Sequence, residues 1–399
     1  MVTLKEYDKL YLKKENVLFF KSIENFIKDN IEIAQFLKLG RDKIGDFLQA
    51  QNYVGIIQTK NGEALEILPK IYNENGYNSI NESKSILLKM LRSLRNYPFK
   101  NIDISNLSYT KLPLTEIFIS MFLNELYYLI KKGIKSDYIE HEDNLGYLRG
   151  KLNISKQIQY NHKERFYIHL AEFNTDRVEN RLIKSTLAFL QKISRSNQNK
   201  QRIQEYLYLF DHISLSKDTS NDFSKVKLDR QMSYYVQILL WCKIFLQGNS
   251  FSPYRGNDIA FAFLLDMNKI FESYVGYNLK KMEKNIQLQH CEHHLLKDNI
   301  TDNYKFKLKP DIYIREKNII IDSKWKKIVD DSDFNQADFY QLLAYGNKYK
   351  CKNMYLIYPT YDICYPKSFN YNTNNSTDLF LNIIFFNIKN DIFCGDLII

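Results

Sequence analysis

Alternating hydrophobic and polar residues in the last third of the chain predict a β-hairpin. In residues 311–314 every second side chain is an isoleucine, and an apolar run at residues 319–321 leads directly into Asp322. Alternation with a period of two is typical of strands, and short apolar runs bounded by polar residues indicate the same. The polar residues 315–318 lie between the two stretches and predict a tight turn.

The predicted hairpin places three charged side chains on one face. A turn centred on residues 316–317 sets Asp311 opposite Asp322. A turn one residue later sets Asp311 opposite Lys324 instead. In both registers the two acids and the lysine share a face, because side chains alternate along a strand. Directly opposed residues have Cβ atoms only about 4.5 to 5.5 Å apart.

This patch of charges suits metal-dependent hydrolysis of a phosphodiester. Carboxylates that close repel each other unless a cation lies between them, and hard oxygen ligands favour Mg²⁺ or Mn²⁺. A bound metal generates a hydroxide nucleophile and neutralises phosphate charge, while Lys324 orients the water or stabilises the developing anion. An ordinary hairpin with a solvated polar face is the alternative. Charges at the end of a buried strand are, however, typical of active sites in mixed α/β sheets.

Two predicted helices flank the hairpin and carry further candidates. The helix over residues 333–350 has three residues on one face, at three- and four-residue spacing: Asp338, Gln341 and Tyr345. The helix over residues 266–282 has an apolar stripe, and Glu272 lies beside that stripe. From there Glu272 can reach the hairpin as a further metal ligand. A solvent-facing helix glutamate is the alternative interpretation.

The order of these residues resembles the PD-(D/E)xK nuclease superfamily, and the Gln-x-x-x-Tyr element resembles its RecB-like branch. Within that branch the chain resembles the McrC family, the nuclease subunit of McrBC-type, modification-dependent restriction systems. The resemblance covers most of residues 50–360. Its motifs outside the hairpin lie at residues 54–57, 65–71, 145–152, 173–181, 267–272 and 355–359.

The resemblance implies a role for each candidate residue. The implied catalytic residues are Asp311, Asp322, Lys324, Gln341 and Tyr345, and the implied metal ligands are Glu272, Asp311, Asp322 and Ser323. The implied cofactor is Mg²⁺, with Mn²⁺ as the other possibility. The acids and the Asp-Ser-Lys sequence are intact, so nothing indicates an inactivated nuclease. Residues 365–399 match no motif of the family.

A mixed α/β, or α+β, fold in three regions is expected. Residues 1–150 form an N-terminal α+β region and residues 151–258 a helical middle region. The resemblance implies that residues 259–399 form a PD-(D/E)xK, restriction-endonuclease-like domain with a mixed sheet flanked by helices. The second border rests on the glycine, serine and proline residues of the segment 248–257.

The N-terminal region contains a second predicted hairpin. Its strands are expected around residues 53–58 and 65–69, and the segment 60–63 between them has the composition of a turn. The spacing of Gly40 and Gly45 is that of a phosphate-binding loop, but the Lys-Ser/Thr pair that such a loop needs is absent. The chain is therefore not expected to hydrolyse nucleotides itself.

Composition agrees with an intracellular nucleic-acid enzyme. The formal net charge is +10 and the pI is near 9.0, which biases the chain toward phosphate backbones. The five cysteines are scattered and odd in number, which favours free thiols in a reducing cytoplasm. The N-terminus is charged and unlike a signal peptide, and polar residues interrupt the longest apolar stretches, so no membrane span is expected.

The resemblance also implies partners. A McrC-like protein depends on a McrB-like AAA+ GTPase that recognises modified DNA and translocates it, and residues 1–150 are implied to dock into that partner and stimulate it. The loop at residues 145–151 is a candidate contact. The expected substrate is double-stranded DNA carrying 5-methylcytosine. Two alternatives remain open: a RecB-like nuclease that acts without an NTPase, and a non-catalytic adaptor that only activates one.

Overall fold

The computed structural model describes residues 1–29, 34–73, 76–77, 79–100, 112–160, 164–247, 259–361, 365–372 and 378–397. The chain packs as two compact units, of which the first contains residues 1–114 and 255–399 and the second contains residues 115–254. Four cysteines are free thiols, namely Cys242, Cys291, Cys351 and Cys394, and Cys364 lies outside the described residues. The described residues contain no helix with the length and apolarity needed to cross a bilayer.

Strands dominate both chain segments of the first unit. In its N-terminal segment the elements are β1 (Val2–Lys5), β2 (Lys9–Tyr11), α1 (Val17–Asp29), β3 (Leu37–Arg41), β4 (Asp46–Ala50), β5 (Tyr53–Thr59), β6 (Ala64–Leu68), β7 (Tyr72–Asn73), β8 (Gly76–Tyr77) and α2 (Ile80–Leu91). Helices dominate the second unit, which contains α3 (Leu114–Lys132), β9 (Asp137–Leu145), β10 (Lys151–Leu152), α4 (Ile154–Tyr160), β11 (Phe166–Asn174), α5 (Val178–Ile193), α6 (Asn197–Leu209), α7 (Thr219–Lys225) and α8 (Tyr235–Gln247).

The C-terminal segment of the first unit carries the predicted catalytic hairpin. Its elements are β12 (Ile259–Asp266), α9 (Met267–Met282), β13 (Ile286–Leu288), β14 (His294–Lys297), β15 (Tyr304–Lys307), β16 (Ile312–Ile314), β17 (Ile319–Ser323), α10 (Gln336–Tyr349), β18 (Asn353–Thr360), β19 (Lys367–Asn370), β20 (Phe380–Asn387) and β21 (Ile392–Cys394). The mixed α/β fold that the sequence predicted is confirmed.

The N-terminal sheet has the strand order β1-β6-β5-β12. Strands β5 and β6 form the predicted hairpin, and β1 runs parallel to β6. Strand β12 completes this sheet by pairing antiparallel with β5, so that Leu264 lies opposite Gly55. The start of the C-terminal segment therefore belongs structurally to the N-terminal sheet, although the sequence had separated the two at residue 258. The segment 248–257, on which that border rested, lies outside the described residues.

The second unit combines a small sheet with packed helices. Strands β9, β10 and β11 form an antiparallel sheet, and α5 packs against α8. The apolar residues of α3 and α8 are mostly buried. A buried carboxylate organises the unit: Glu116 accepts hydrogen bonds from Ser194 Oγ at 3.0 Å and from Asn199 Nδ2 at 2.8 Å.

The C-terminal sheet positions the candidate site. Its strand order is β13-β16-β17-β18-β20-β19, with β21 paired to β20, and β17, β18 and β20 run parallel to one another. Helices α9 and α10 both pack on β17. On the α10 side, Ile320 of β17 lies in one apolar cluster with Leu342 of α10 and Leu356 of β18. The sheet is thus mixed and flanked by helices.

Candidate active site

The strands β16 and β17 pair in one of the two registers that the sequence allowed. Ile312 lies opposite Ile321 and Ile314 opposite Ile319, so the turn is centred on residues 316–317. The backbone N–H of Asn318 closes this turn by donating to the carbonyl of Arg315 at 3.2 Å. Continued by one residue, the same register sets Asp311 opposite Asp322.

Asp311 lies just before β16 and is held by the end of β17. Its Oδ2 accepts two hydrogen bonds from Ser323, one from the backbone N–H at 2.8 Å and one from Oγ at 3.0 Å. The Ser323 hydroxyl is therefore already engaged with an acid of the other strand. Both hydrogen bonds hold the Asp311 carboxylate in place.

Asp322 and Lys324 form an ion pair at the end of β17. Asp322 is only 2% exposed, and its Oδ2 lies 2.7 Å from Nζ of Lys324. The ammonium of Lys324 is also 3.8 Å from Oδ1 of Asp338 and donates to Oε1 of Gln341 at 3.4 Å. Gln341 in turn donates through Nε2 to the hydroxyl of Tyr345 at 2.7 Å. One face of α10 thus surrounds the lysine with oxygen acceptors.

Asp338 also belongs to this site. It was not among the catalytic residues and metal ligands that the family resemblance implied. The helical spacing placed it on the same face as Gln341 and Tyr345, and that spacing was the available signal. Burial raises its pKa, and the charge of Lys324 opposes that shift. Asp338 therefore adds a second carboxyl group to the surroundings of Lys324.

Glu272 of α9 approaches the hairpin acids from the opposite helix. Burial raises its pKa, and the nearby charge of Asp322 raises it further, whereas a hydrogen bond lowers it. That hydrogen bond comes from Nε2 of Gln289, which donates to Oε1 of Glu272 at 2.9 Å. Gln289 also donates its backbone N–H to the carbonyl of Asp311 at 2.8 Å. No sequence pattern pointed to Gln289, which links the two acids.

Burial and mutual repulsion raise the pKa values of the central acids. The pKa of Asp311 rises to about 6, first through burial and then through the charge of Glu272. The pKa of Asp322 rises to about 7, first through burial and then through the charge of Asp311. Burial alone lowers the pKa of Lys324, but Asp322, Asp338 and Asp311 together raise it above its ordinary value. At neutral pH the site holds a lysine ammonium beside acids that resist full ionisation.

The donor atoms of the site suit a hard cation. Within the described ranges, no three histidine, cysteine or acidic side chains already surround a common point as ready metal ligands. Mg²⁺ does not require such a cage, because it keeps several waters and binds through one or two carboxylates together with substrate phosphates. The carboxylates of Asp311 and Asp322, with Glu272 nearby, match that requirement. A cation beside them would also relieve the repulsion that raises their pKa values.

A further hairpin, formed by β14 and β15, ends at Lys307, shortly before Asp311 in the sequence. Strands β14 and β15 pair with each other alone, and every residue of β15 is exposed. Tyr304 and Phe306 are 65% and 67% exposed, and they alternate with Lys305 and Lys307. Aromatic rings interleaved with lysines are typical of surfaces that contact nucleic acids.

The family model of the McrBC 5-methylcytosine restriction system component matches residues 48–359 of the chain. The chain is 24% identical over 271 residues to the type IV methyl-directed restriction enzyme EcoKMcrBC of Escherichia coli strain K12, a match that covers 59% of this chain and 73% of that protein.

Two solved assemblies from Thermococcus gammatolerans are similar in structure. One is a half-complex from a tetradecameric assembly of McrB AAA+ hexamers with bound McrC, with a TM-score of 0.71, 19% identity, and coverage of 97% of this chain and 94% of that one. The other is a cryo-EM structure of the McrBC complex, with a TM-score of 0.54, 21% identity, and coverage of 70% and 86%. At such identities these two matches establish the fold.

Proposed function

Because the chain belongs to the family of McrBC 5-methylcytosine restriction system components, we propose that it is the nuclease subunit of such a system. In this proposal it is a Mg²⁺-dependent endodeoxyribonuclease, and residues 259–399 are a PD-(D/E)xK domain. One observation carries the proposal: Asp311, Asp322 and Lys324 converge at the end of β17, where the lysine ammonium lies 2.7 Å from Asp322. Two acids and a lysine in this arrangement serve phosphodiester hydrolysis.

The carboxylates would hold the cation, and the lysine would act on the substrate. Asp311 and Asp322 would bind Mg²⁺, with Glu272 as a further ligand. When bound, Mg²⁺ supplies Lewis acidity and lowers the pKa of coordinated water. Lys324 places a positive charge where the phosphate oxygens gain negative charge. Ser323 contributes through its hydrogen bonds to Asp311, which keep that carboxylate oriented.

Gln341 and Tyr345 would act as positioning residues for Lys324. The acceptor that Gln341 offers to Lys324, at 3.4 Å, is the oxygen of a neutral amide, so it orients the ammonium without neutralising its charge, while the Tyr345 hydroxyl accepts a hydrogen bond from the same amide. The ion pair with Asp322 keeps Lys324 charged, because the neighbouring acids raise its pKa. A lysine fixed in this way stays protonated while the reaction proceeds.

DNA is the proposed substrate because of charge and surface composition. The net charge of +10 favours phosphate backbones. The β14–β15 hairpin ends shortly before Asp311, and its exposed residues include Tyr304, Phe306 and the lysines beside them. Such a surface would contact the duplex next to the scissile phosphate. The family description supports DNA that carries 5-methylcytosine.

A McrB-like AAA+ GTPase is the proposed partner, and the cytoplasm the proposed location. The solved assembly with a chain that matches 97% of this one consists of McrB AAA+ hexamers with bound McrC. We propose that docking uses the region 1–150. The segment 146–150 is exposed there, with Tyr147 and Leu148 59% and 58% exposed. Asp46 and Phe47 directly follow Gly45, in place of the lysine and the serine or threonine of a phosphate-binding loop, which agrees with nucleotide hydrolysis by a separate protein.

Plasmid cleavage with Mg²⁺ tests the nuclease assignment. Wild type and Asp322→Asn would each be combined with a McrB-like GTPase, with and without GTP, on methylated and unmethylated plasmid. Asp396→Asn, a change at an exposed aspartate of the same unit that lies outside the region 1–150, is the matched control. We expect cleavage that needs GTP and Mg²⁺, is lost in Asp322→Asn and is kept in Asp396→Asn.

The other outcomes separate the alternatives. Cutting by Asp322→Asn at the wild-type rate would overturn the site assignment. Cutting by wild type in the absence of the GTPase and nucleotide would indicate a RecB-like nuclease that acts alone. If wild type never cuts but still raises the GTPase rate of the partner, the protein is a non-catalytic activator. Stimulation of the GTPase by Asp322→Asn also shows that this variant is folded.

A further inference from the structure

A cavity of about 1030 Å³ lies in the first unit, beside the candidate active site. The parallel strands β17, β18 and β20 all end at it, since Trp325, Tyr361 and Ile388 follow these strands and line the cavity. The parallel strands β1 and β6 end there as well, because Glu6 and Lys70 also line it. In open α/β sheets, ligands bind at the carboxyl ends of parallel strands.

The lining of the cavity combines aromatic rings with lysines. Trp325, Phe334 and Tyr361 contribute rings, and lysines stand at 70, 326, 327 and 367. Asp330 and Asp331 also line it, and Asp331 pairs with Lys367. Such a lining suits a flat aromatic ligand that carries a phosphate. The volume exceeds what one nucleotide needs and lies at the upper end of the usual range for ligand sites.

Glu6 lines the cavity, and one oxygen of its buried carboxylate has no hydrogen bond within the described residues. The side chain is fully buried, and its Oε2 accepts from Nε1 of Trp325 at 3.0 Å and from the backbone N–H of Lys70 at 2.9 Å. Its Oε1 finds no hydrogen-bond donor among the described residues. Buried polar atoms nearly always have partners, because an unsatisfied one is costly. A ligand N–H group would satisfy this oxygen.

The cavity and the acidic site share two structural elements. Trp325 directly follows Lys324, and its backbone N–H donates to Oδ1 of Asn268 at 3.2 Å. Asn268 lines the cavity and lies one helical turn before Glu272 on α9, so both side chains emerge from the same face of the helix. A DNA strand with a phosphate at Lys324 therefore lies next to the cavity, because the following residue, Trp325, forms part of its wall.

We propose that the cavity binds one unpaired nucleotide of the DNA strand next to the scissile phosphate. Its base stacks on Trp325 and donates an N–H group to Glu6, and a backbone phosphate lies by the lysines at the rim. This inference rests on the proposed nuclease function, because it takes DNA as the substrate. The protein then binds the strand at two adjacent places. The acids and Lys324 bind the scissile phosphate, and the cavity binds the neighbouring nucleotide.

Tryptophan fluorescence tests this binding in the 399-residue chain. The chain has two tryptophans, so Trp241→Phe leaves Trp325 as the only reporter. The probes are a ten-nucleotide single strand, its duplex and deoxynucleoside monophosphates, all with EDTA so that no cutting occurs. We expect the single strand to quench Trp325. A fluorescein-labelled single strand, followed by anisotropy with wild-type Trp241, gives the same affinity without relying on the Trp241→Phe variant.

Two variants measure how much Trp325 and Glu6 contribute to binding of the single strand. Trp325→Ala should weaken single-strand binding roughly 5- to 150-fold, the range that loss of one base–aromatic stack gives. Glu6→Gln keeps the shape of the side chain and should weaken binding roughly 2- to 12-fold through loss of one hydrogen bond. Tyr208→Ala, which removes an 82% exposed ring in the second unit, is the control and should leave the affinity unchanged.

Separate outcomes overturn the cavity and the nuclease assignment. If single strands leave Trp325 fluorescence unchanged and neither variant alters the affinity, the cavity proposal is wrong, even where Asp322→Asn abolishes cutting. If quenching is normal but wild type never cuts DNA with its GTPase, the nuclease assignment is wrong and the strand-binding cavity stands. Monophosphates that bind as tightly as the single strand would overturn the assignment to a DNA strand, because they would indicate a site for free nucleotides.

Discussion

Ser323 donates two hydrogen bonds to one carboxylate oxygen of Asp311, from its backbone N–H at 2.8 Å and from its hydroxyl at 3.0 Å. The residue between Asp322 and Lys324 thus holds the acid of the opposite strand. Both bonds stabilise the ionised carboxylate, so they oppose the rise in the pKa of Asp311 that burial and Glu272 cause. The serine therefore tunes the charge of the site as well as its geometry.

Ser323→Ala should lower the single-turnover cleavage rate about tenfold, because it removes a hydrogen bond to a charged group. The pKa of Asp311 should rise further, so the rising limb of the pH–rate profile should move to higher pH. Single-turnover cleavage between about pH 5 and pH 9 measures both effects. Ser323→Thr keeps a hydroxyl and should restore most of the rate. An Ala variant with the wild-type rate and profile would show that the backbone bond alone positions Asp311.

Gln341→Leu should lower the cleavage rate about tenfold while DNA affinity stays within about twofold, since an interaction that positions Lys324 acts on catalysis. The change removes the acceptor of the bond from Lys324 at 3.4 Å and the donor to Tyr345 at 2.7 Å. Rates come from single-turnover cleavage and affinities from anisotropy with EDTA. Tyr340→Phe, at a 61% exposed tyrosine of the same helix, is the control. Equal losses of rate and affinity would instead point to a DNA contact.

Local patterns in the sequence were enough to predict the catalytic hairpin. The alternation around Ile312 and the run before Asp322 defined both strands, and one of the two allowed registers is the one observed. The helices that carry Glu272 and Gln341 were also predicted, because the 3.6-residue period is a property of each segment alone. Helices and strands whose hydrophobic pattern lies within about twenty consecutive residues could therefore be predicted from the sequence.

Contacts between distant segments could not be predicted in this way. Gln289 reaches Glu272 and Asp311 because its backbone has a φ of 51° and because β13 pairs with β16. Neither feature leaves a periodic pattern. The pairing of β12 with β5 joins segments that are far apart in the chain and depends on the shape of the strands. The same holds for Glu6, whose partner Trp325 is 319 positions away.

Gly55→Ala tests the junction between β5 and β12. Gly55 has a φ of +142°, and a Cβ atom there would lie 2.0 Å from the carbonyl oxygen of Phe263. Since neither backbone strand can move away without breaking the sheet, the variant should lose about 3 kcal/mol or more of unfolding free energy. Urea unfolding measures the loss. Gly45→Ala has a similar φ of +147° with no atom within 4 Å, so it isolates the cost of the dihedral. Equal losses in the two variants would refute the steric explanation.

Glu6→Gln should make stability less dependent on pH. Burial, the largest cause, raises the pKa of Glu6 to about 7 from an ordinary value of 4.5. Between these values the folded state binds the proton more tightly than the unfolded state, so stability is full below pH 4.5 and falls as the pH rises toward 7. The difference between the two pKa values corresponds to roughly 3 kcal/mol of unfolding free energy. The wild type should lose this amount as the pH rises from 4.5 to above 7, and the glutamine variant should not.

Urea unfolding followed by Trp325 fluorescence, in the Trp241→Phe background, tests this pH dependence because Trp325 donates directly to Glu6. The free energies of unfolding with and without the Glu6→Gln change should agree most closely near pH 4.5, and the glutamine variant should gain its full advantage above pH 7. Asp311 and Asp322 titrate in the same direction in both proteins, so their contribution cancels in the difference. A difference in unfolding free energy that stays constant from pH 4.5 to above pH 7 would mean that Glu6 is ionised at no cost in the folded protein, and that its Oε1 therefore already has a donor in solution.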